Sequence, residues 1–305
     1  MLTKDIAICI RAVDYSETSQ IVTFFTRASG KISAIAKGSK RPKSSFDGPI
    51  EIFSYGKIVF SDSNKEKLAT LTEFEQQPGL TPAVLPPLLR LRSKTMGAAG
   101  ANNLFVLNCR LFAAELINSL THDYDPHPDL FDSFLQFLQN VSEHQASKFC
   151  LSEAKPKNLT NSQARSSASA QDDKGNIERR DILSFLILFQ LSLLKEIGLM
   201  PILNACANCK TRYSAGRLMA EHRVSSIEHQ VYFSSAANGL ICRDCQDSFP
   251  DRIRLTKSAA NCLSNLKMIA ELREKTLNEI EKVLISHFTE LLGKPPKMAK
   301  YILTS

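Results

Sequence analysis

Two Cys-x-x-Cys pairs constrain the fold of this chain more than any other feature of its sequence. They are "CANC" at 206–209 and "CRDC" at 242–245, with 32 residues between them. Two residues between cysteines let a tight turn present both sulfurs to one ion, and two such turns complete a tetrahedral site. We therefore predict one bound Zn²⁺ in a subdomain of about residues 203–250. The predicted ligands are Cys206, Cys209, Cys242 and Cys245.

The number of thiolates indicates what the metal does. Four thiolates fill the shell of Zn²⁺ and leave no position for water, so the predicted role is structural and not catalytic. An iron–sulfur cluster and a redox dithiol are alternatives, but two such pairs in one chain favour zinc. His222 and His229 lie between the pairs and are alternative ligands. With four cysteines present, we interpret both histidines as surface residues.

The first 80 residues contain five short runs of β-branched and aromatic residues, separated by Gly, Asp, Asn, Ser and Pro. Five short strands in one small module predict a sandwich or a small barrel, and a five-stranded oligonucleotide-binding (OB) barrel is one candidate. The strand count alone does not choose among them. The runs are residues 6–13, 20–26, 31–38, 50–60 and 68–74.

Helical spacing of apolar residues takes over after this module. Residues 152–176 hold almost no large apolar side chains, which predicts a flexible surface insertion. We therefore predict a multidomain α+β protein. An OB domain would occupy residues 1–80, and a helical domain with the insertion and the zinc subdomain would occupy residues 81–305.

A basic stretch, "GKISAIAKGSKRPKSS", occupies residues 30–45 and contains no acidic residue. Alternation along a strand places Lys31 and Lys37 on the same face. In the loop that follows, Pro42 favours an extended backbone and spreads the neighbouring cations. We predict contact with nucleic-acid phosphates and little reading of bases, with a solvated loop and a nuclear-localisation peptide as the alternatives. The predicted DNA-binding residues are Lys31, Lys37, Lys40, Arg41 and Lys43.

Aromatic residues of the first domain are candidates for stacking on bases, and Arg11 and Arg27 are candidates for extending the basic surface. Adjacent Phe24 and Phe25 must point to opposite faces of a strand, and we expect most of the aromatic side chains to fill the barrel. None is therefore assigned as a site. The aromatic candidates are Phe24, Phe25, Tyr15, Phe46, Phe53 and Tyr55.

Signatures of several enzyme classes do not occur in the sequence. None of the Gly-Lys pairs at 30, 56 and 293 is followed by Ser or Thr, as a phosphate-binding P-loop requires. The His-Glu-x-x-His, Gly-x-Ser-x-Gly and zinc-deaminase patterns are also missing, so we predict that the protein is not an enzyme.

No apolar run reaches the roughly 18 to 20 residues of a membrane span, and no secretory signal is evident. These patterns predict a cytoplasmic protein with no membrane partner.

Two segments, together with the order of the elements, resemble the RecO family of bacterial DNA recombination mediators. The first is residues 11–54, "RAVDYSETSQIVTFFTRASGKISAIAKGSKRPKSSFDGPIEIFS". The second runs from "LLKEIGLMPILNACANC" to "YFSSAANGLICRDC", where Gly198, the two Cys pairs and Gly239 sit as in the family's zinc-bearing members. The segments "DPHPDLFDSFLQFL" and "LLGKPPKMAKYI" are similar at lower specificity.

The resemblance implies an OB barrel followed by a helical domain with an inserted zinc subdomain. It also implies binding of single- and double-stranded DNA and annealing of complementary strands. With RecR, such a protein would load RecA onto DNA coated by single-stranded-DNA-binding protein, in the RecFOR pathway, and would associate with the nucleoid. The residues after the Cys pairs, Lys210 and Gln246, depart from the glycine often found in zinc knuckles.

Two functions of other classes stay open on the sequence alone. One is a zinc-stabilised protein-interaction scaffold with incidental nucleic-acid affinity, which would not anneal strands. The other is a metal-dependent hydrolase or deaminase, which needs a water-bearing metal with fewer than four thiolate ligands.

Overall fold

The N-terminal strand segments close into a five-stranded barrel. The strands are ordered β1-β2-β3-β5-β4, and β4 pairs with β1 to close the barrel. Strands β3 and β5 run parallel, while the other neighbours run antiparallel. The prediction of an OB-type barrel is confirmed. The strands are β1 (Leu2–Asp14), β2 (Gln20–Thr26), β3 (Gly30–Ala36), β4 (Tyr55–Ser61) and β5 (Ala69–Gln76).

Five α-helices and five short strands follow the barrel in the described part of the chain. The helices are α1 (Ala98–Leu120), α2 (Pro128–Ser152), α3 (Ala168–Glu196), α4 (Lys257–Ser264) and α5 (Glu274–Leu292). The strands are β6 (Tyr213–Ser214), β7 (Ser225–Ser226), β8 (Val231–Ser234), β9 (Gly239–Cys242) and β10 (Ile253–Leu255). Among these described helices, none is both long and apolar enough to cross a lipid bilayer.

Contacts divide the chain into two units. Unit 1 comprises Met1–Met96 and Ala113–Glu153, and unit 2 comprises Gly97–Phe112 and Ala154–Ser305. The C-terminal third of α1, from Ala113, and all of α2 are therefore grouped with the barrel, while the first part of α1 belongs to unit 2. The computed structural model describes residues 2–41, 44, 46, 48–61, 68–77, 80, 98–152, 168–214, 225–226 and 230–303.

The predicted insertion at 152–176 is described only in part. Residues 153–167 lie outside the described residues. The last residues of the insertion form the first turns of α3, which begins at Ala168.

Two adjacent phenylalanines show how α2 is fixed to the barrel. Phe24 points into the barrel, with its ring centroid 5.7 Å from that of Phe74. Phe25 points to the opposite face and lies 6.0 Å from the ring of Phe131 on α2. Both are fully buried, so the outer face of β2 is a helix-packing surface.

The first residue of β3 lies against the chain that follows α1. Gly30 has a φ of 75°, and a Cβ at this position would collide with the backbone of Asp125. The neighbouring Tyr124 N–H donates to the carbonyl of Lys31 at 3.0 Å. Glycine is therefore required here both by its backbone angle and by the close approach of the two chains.

Unit 2 contains a buried polar pair between α3 and α5. Gln190 Nε2 donates to Glu281 Oε1 at 2.8 Å, and both side chains are fully buried. Gln190 Oε1 and Glu281 Oε2 have no hydrogen-bond partner among the described residues. Burial raises the pKa of Glu281 to about 8. Glu281 is therefore mostly protonated at neutral pH, and its proton makes Oε2 a potential donor.

Candidate metal centre and nucleic-acid interface

The four predicted cysteine ligands lie together in unit 2. Their Sγ atoms are all within 4.8 Å of one another, and Cys209 Sγ is 3.7 Å from Cys242 Sγ. A tetrahedral Zn²⁺ with Zn–S bonds of about 2.3 Å has S–S edges of about 3.8 Å. The cluster is therefore close enough to hold one metal ion. His222 and His229 lie outside the described residues.

A ladder of backbone hydrogen bonds holds the two cysteine loops side by side. Ile202 N–H donates to the Asn238 carbonyl, Leu240 N–H to that of Ile202, and Ala207 N–H to that of Leu240. A Cβ on Gly239 would lie 2.5 Å from the Ile202 carbonyl oxygen, so only glycine permits this approach. These bonds of the frame join backbone groups only.

The residues after the Cys pairs differ in conformation. Lys210 has a φ of 62°, the left-handed region that favours glycine, and its N–H donates to the Cys206 carbonyl at 3.0 Å. Gln246 instead lies in the 3₁₀ turn Arg243–Ser248. The first loop thus adopts the knuckle turn without the glycine that commonly forms it.

The thiols differ in their ease of ionisation. The Thr211 hydroxyl lies 3.2 Å from Cys209 Sγ, and this hydrogen bond lowers the pKa of Cys209 to about 6. Burial raises the pKa of Cys242 to about 12. The Cys242 N–H donates to Cys206 Sγ at 3.4 Å and so joins the two cysteine loops directly. A divalent cation supplies the positive charge that this many adjacent thiolates require.

The second candidate site is one end of the barrel, where the β1–β2 loop meets the segment after β3. Lys40 N–H donates to the Thr18 carbonyl at 3.1 Å, and Gly38 N–H to Ser19 Oγ at 3.3 Å. These bonds hold Lys37, Lys40 and Arg41 at the end of β3, beside the end of β1. We call residues 14–19 and 37–41 the basic end of the barrel. Lys43 lies outside the described residues.

The cations of the basic end differ in their surroundings. Lys37 and Arg41 are exposed. Lys40 Nζ lies 2.8 Å from Asp14 Oδ2, and its side chain is 27% exposed. No feature of the sequence pointed to Asp14 as the counter-charge, because the two residues meet only when β1 and β3 end at the same side of the barrel.

Lys31 does not belong to this surface, contrary to our expectation. It is 8% exposed, and its Nζ donates to the carbonyls of Asn118 and Thr121, each at 2.8 Å. It also lies 3.3 Å from the Asp123 carboxylate. Lys31 therefore caps the C-terminus of α1, where the carbonyl oxygens and the helix dipole favour a cation.

Replacing Lys31 with Met is expected to lower the free energy of unfolding of unit 1 by about 2 kcal/mol, because two buried carbonyls lose a charged donor. Lys37→Met is the matched control, since that side chain is exposed. Urea unfolding of both variants measures the difference. Equal midpoints would contradict the capping role.

The arginines and aromatic residues that the sequence suggested for the same surface lie in different surroundings. Arg27 forms a bidentate ion pair with Asp132, with bonds of 2.9 and 2.8 Å, at the opposite end of β2 from the basic end. Arg11 is exposed on β1. Among the aromatic candidates, Tyr15 is 64% exposed, whereas four are buried. The buried four are Phe24, Phe25, Phe46 and Phe53.

Comparisons with known proteins match nearly the whole chain. The family model described as "Recombination protein O N terminal" matches residues 1–77, and "Recombination protein O C terminal" matches residues 101–151 and 175–300. The DNA repair protein RecO of Bacillus subtilis is 26% identical over 310 residues, covering 99% of this chain and 94% of the relative. The DNA repair protein RecO of Rhodopirellula baltica is 26% identical over 272 residues, covering 89% of this chain and 77% of the relative. The DNA repair protein RecO of Salinibacter ruber is 34% identical over 143 residues, covering 46% of this chain and 48% of the relative.

Proposed function

The chain belongs to the Recombination protein O family, and on this premise we propose that it acts in DNA repair and recombination by binding DNA at the basic end of its barrel. The observation that carries this proposal is the position of Lys37, Lys40 and Arg41, which two hydrogen-bonded loops hold together at one end of an OB-type barrel. Lys43, which lies outside the described residues, remains a proposed DNA contact on the basis of the sequence.

The chemistry of this surface favours phosphates over bases. Ammonium and guanidinium groups attract the DNA backbone, and binding releases counterions from it. The proposed binding is therefore largely independent of sequence and accepts both single and double strands. By membership of the family, we further propose strand annealing and, together with RecR, loading of RecA onto DNA coated by single-stranded-DNA-binding protein. The proposed location is the bacterial cytoplasm, at the nucleoid when DNA is bound.

We also propose that the cysteine cluster holds one structural Zn²⁺. The four residues would bind it as thiolates, and the metal would supply charge compensation and a cross-link between the two loops. A shell of four thiolates leaves no position for substrate or water, so the proposed role of this metal is structural and not catalytic.

Changing Lys37, Lys40 and Arg41 together to Ala is expected to weaken oligonucleotide binding at least 10-fold in low salt. The slope of log affinity against log salt should fall by about 2, because each phosphate contact to a single strand contributes about 0.7. Titration of a labelled oligonucleotide at several salt concentrations measures both quantities.

A second triple variant, Lys4, Arg27 and Lys57 to Ala, removes the same charge from elsewhere on unit 1 and is the control. If the two variants bind alike, the basic end is not the contact. Strand annealing by the wild type tests the wider proposal, because a scaffold with incidental affinity would anneal no strands.

A further inference from the structure

We propose that Tyr15 is a base-stacking residue that makes the basic end prefer single-stranded over duplex DNA. This inference rests on the proposed function and deepens it, because it names the form of nucleic acid that the surface recognises. Tyr15 is 64% exposed, whereas the other aromatic candidates of the barrel are buried or, for Tyr55, partly buried.

The backbone around Tyr15 is held in one conformation. Tyr15 N–H and Ser16 N–H both donate to the Ser19 carbonyl, at 3.0 and 3.2 Å, and Ser19 N–H donates to Ser16 Oγ at 3.1 Å. Thr18 is in turn bonded to Lys40. A preordered turn reduces the entropy lost when a ligand binds, so the exposed ring is presented at little further cost.

The cation Lys40 is bonded to residues on both sides of Tyr15 in the turn. Asp14, the residue before Tyr15, holds Lys40 Nζ at 2.8 Å, and Lys37 and Arg41 belong to the same turn as Lys40. An aromatic face next to cations is the combination that binds single strands, because bases stack on the ring while phosphates contact the cations. In a duplex the base faces are already stacked on one another, so the ring gains nothing there.

Asp14 opposes this binding. Its carboxylate neutralises Lys40, and Glu17 adds a second exposed negative charge to the turn. An incoming phosphate must therefore displace Asp14 from Lys40. Removing this carboxylate should leave Lys40 available and tighten binding of a polyanion.

The sequence contains no tryptophan, so Tyr15→Trp introduces a single fluorescent reporter at the proposed stacking position. A saturating oligothymidine is expected to quench its emission, and a duplex of equal length is expected to leave the emission nearly unchanged. Tyr15→Leu should weaken single-strand binding about 10-fold without changing the salt slope, and Tyr15→Phe should restore it. An unchanged single-strand affinity of Tyr15→Leu, or an unquenched Trp at saturation, would overturn the proposal.

Charge variants separate this inference from the proposed function. Asp14→Asn is expected to tighten oligothymidine binding a few-fold. Asp132→Asn makes the same charge change on α2, beside Arg27 at the opposite end of β2, and should leave oligothymidine binding unchanged. If the Lys37, Lys40 and Arg41 variant shows the reduced salt slope but Tyr15→Leu binds like wild type, DNA binding at the basic end is supported. The stacking role of Tyr15 is then wrong. If neither variant changes binding, both fail.

Discussion

Cys206→Ser is expected to abolish stoichiometric metal binding and to unfold the cysteine loops of unit 2. Cys206 is fully buried, and its sulfur accepts the Cys242 N–H. Metal binding by four thiolates contributes on the order of 10 kcal/mol in small zinc domains, so loss of one ligand should cost several kcal/mol here. Chelation of the wild type should produce the same loss.

Elemental analysis and thermal unfolding with and without chelator measure this prediction. Cys262→Ala is the control, because Cys262 is buried on α4 and is not part of the cluster. It should lose some stability but retain one metal per chain. A wild-type protein without stoichiometric metal, whose unfolding is unchanged by chelator, would contradict the proposed zinc site.

Glu281→Gln is expected to raise the free energy of unfolding by roughly 3 kcal/mol at pH 8. Burial raises the pKa of Glu281 to about 8 in the folded chain, whereas its ordinary value is 4.5. Between these values the unfolded chain releases the proton and the folded chain keeps it. The free energy of unfolding therefore falls as pH rises, by up to about 1.4 kcal/mol per unit, and levels off above the folded pKa.

Glutamine should remove this dependence because its amide is uncharged and supplies a donor toward Gln190. The useful window is pH 6.5 to 8, because burial lowers the pKa of His287, which contributes the opposite slope at lower pH. Urea unfolding across the window measures the slope. Glu290→Gln, an exposed position on the same helix, should keep the wild-type slope. Identical slopes for all three proteins would contradict a protonated Glu281.

The parts of the fold that depend on local pattern could be predicted from the sequence. Alternation in short runs predicts strands because successive side chains point to opposite faces, and closing five of them gave the OB candidate. The spacing of the cysteines also predicted their meeting, since each pair is a local turn. Only the closeness of the two pairs depends on the rest of the fold.

The parts that depend on distant contacts could not be predicted. Lys31 and Lys37 are alternate members of one basic run, yet the partners of Lys31 are 87 and 90 residues away. Similarly, helical spacing in α1 and α2 predicts an apolar face but does not say which core it covers. Glu281 had a local signal, because it lies on the apolar stripe of Leu277, Leu284 and Phe288. A carboxylate at that position must be paired or protonated.

The most direct test of the proposed DNA contact is photo-crosslinking of an oligonucleotide containing 4-thiothymidine, followed by mass spectrometry of the crosslinked peptides. The predicted crosslinks lie at residues 14–19 and 37–41, with Tyr15 among them, and competing unlabelled DNA should remove them. Crosslinks confined to unit 2, or none at saturating DNA, would contradict binding at the basic end of the barrel.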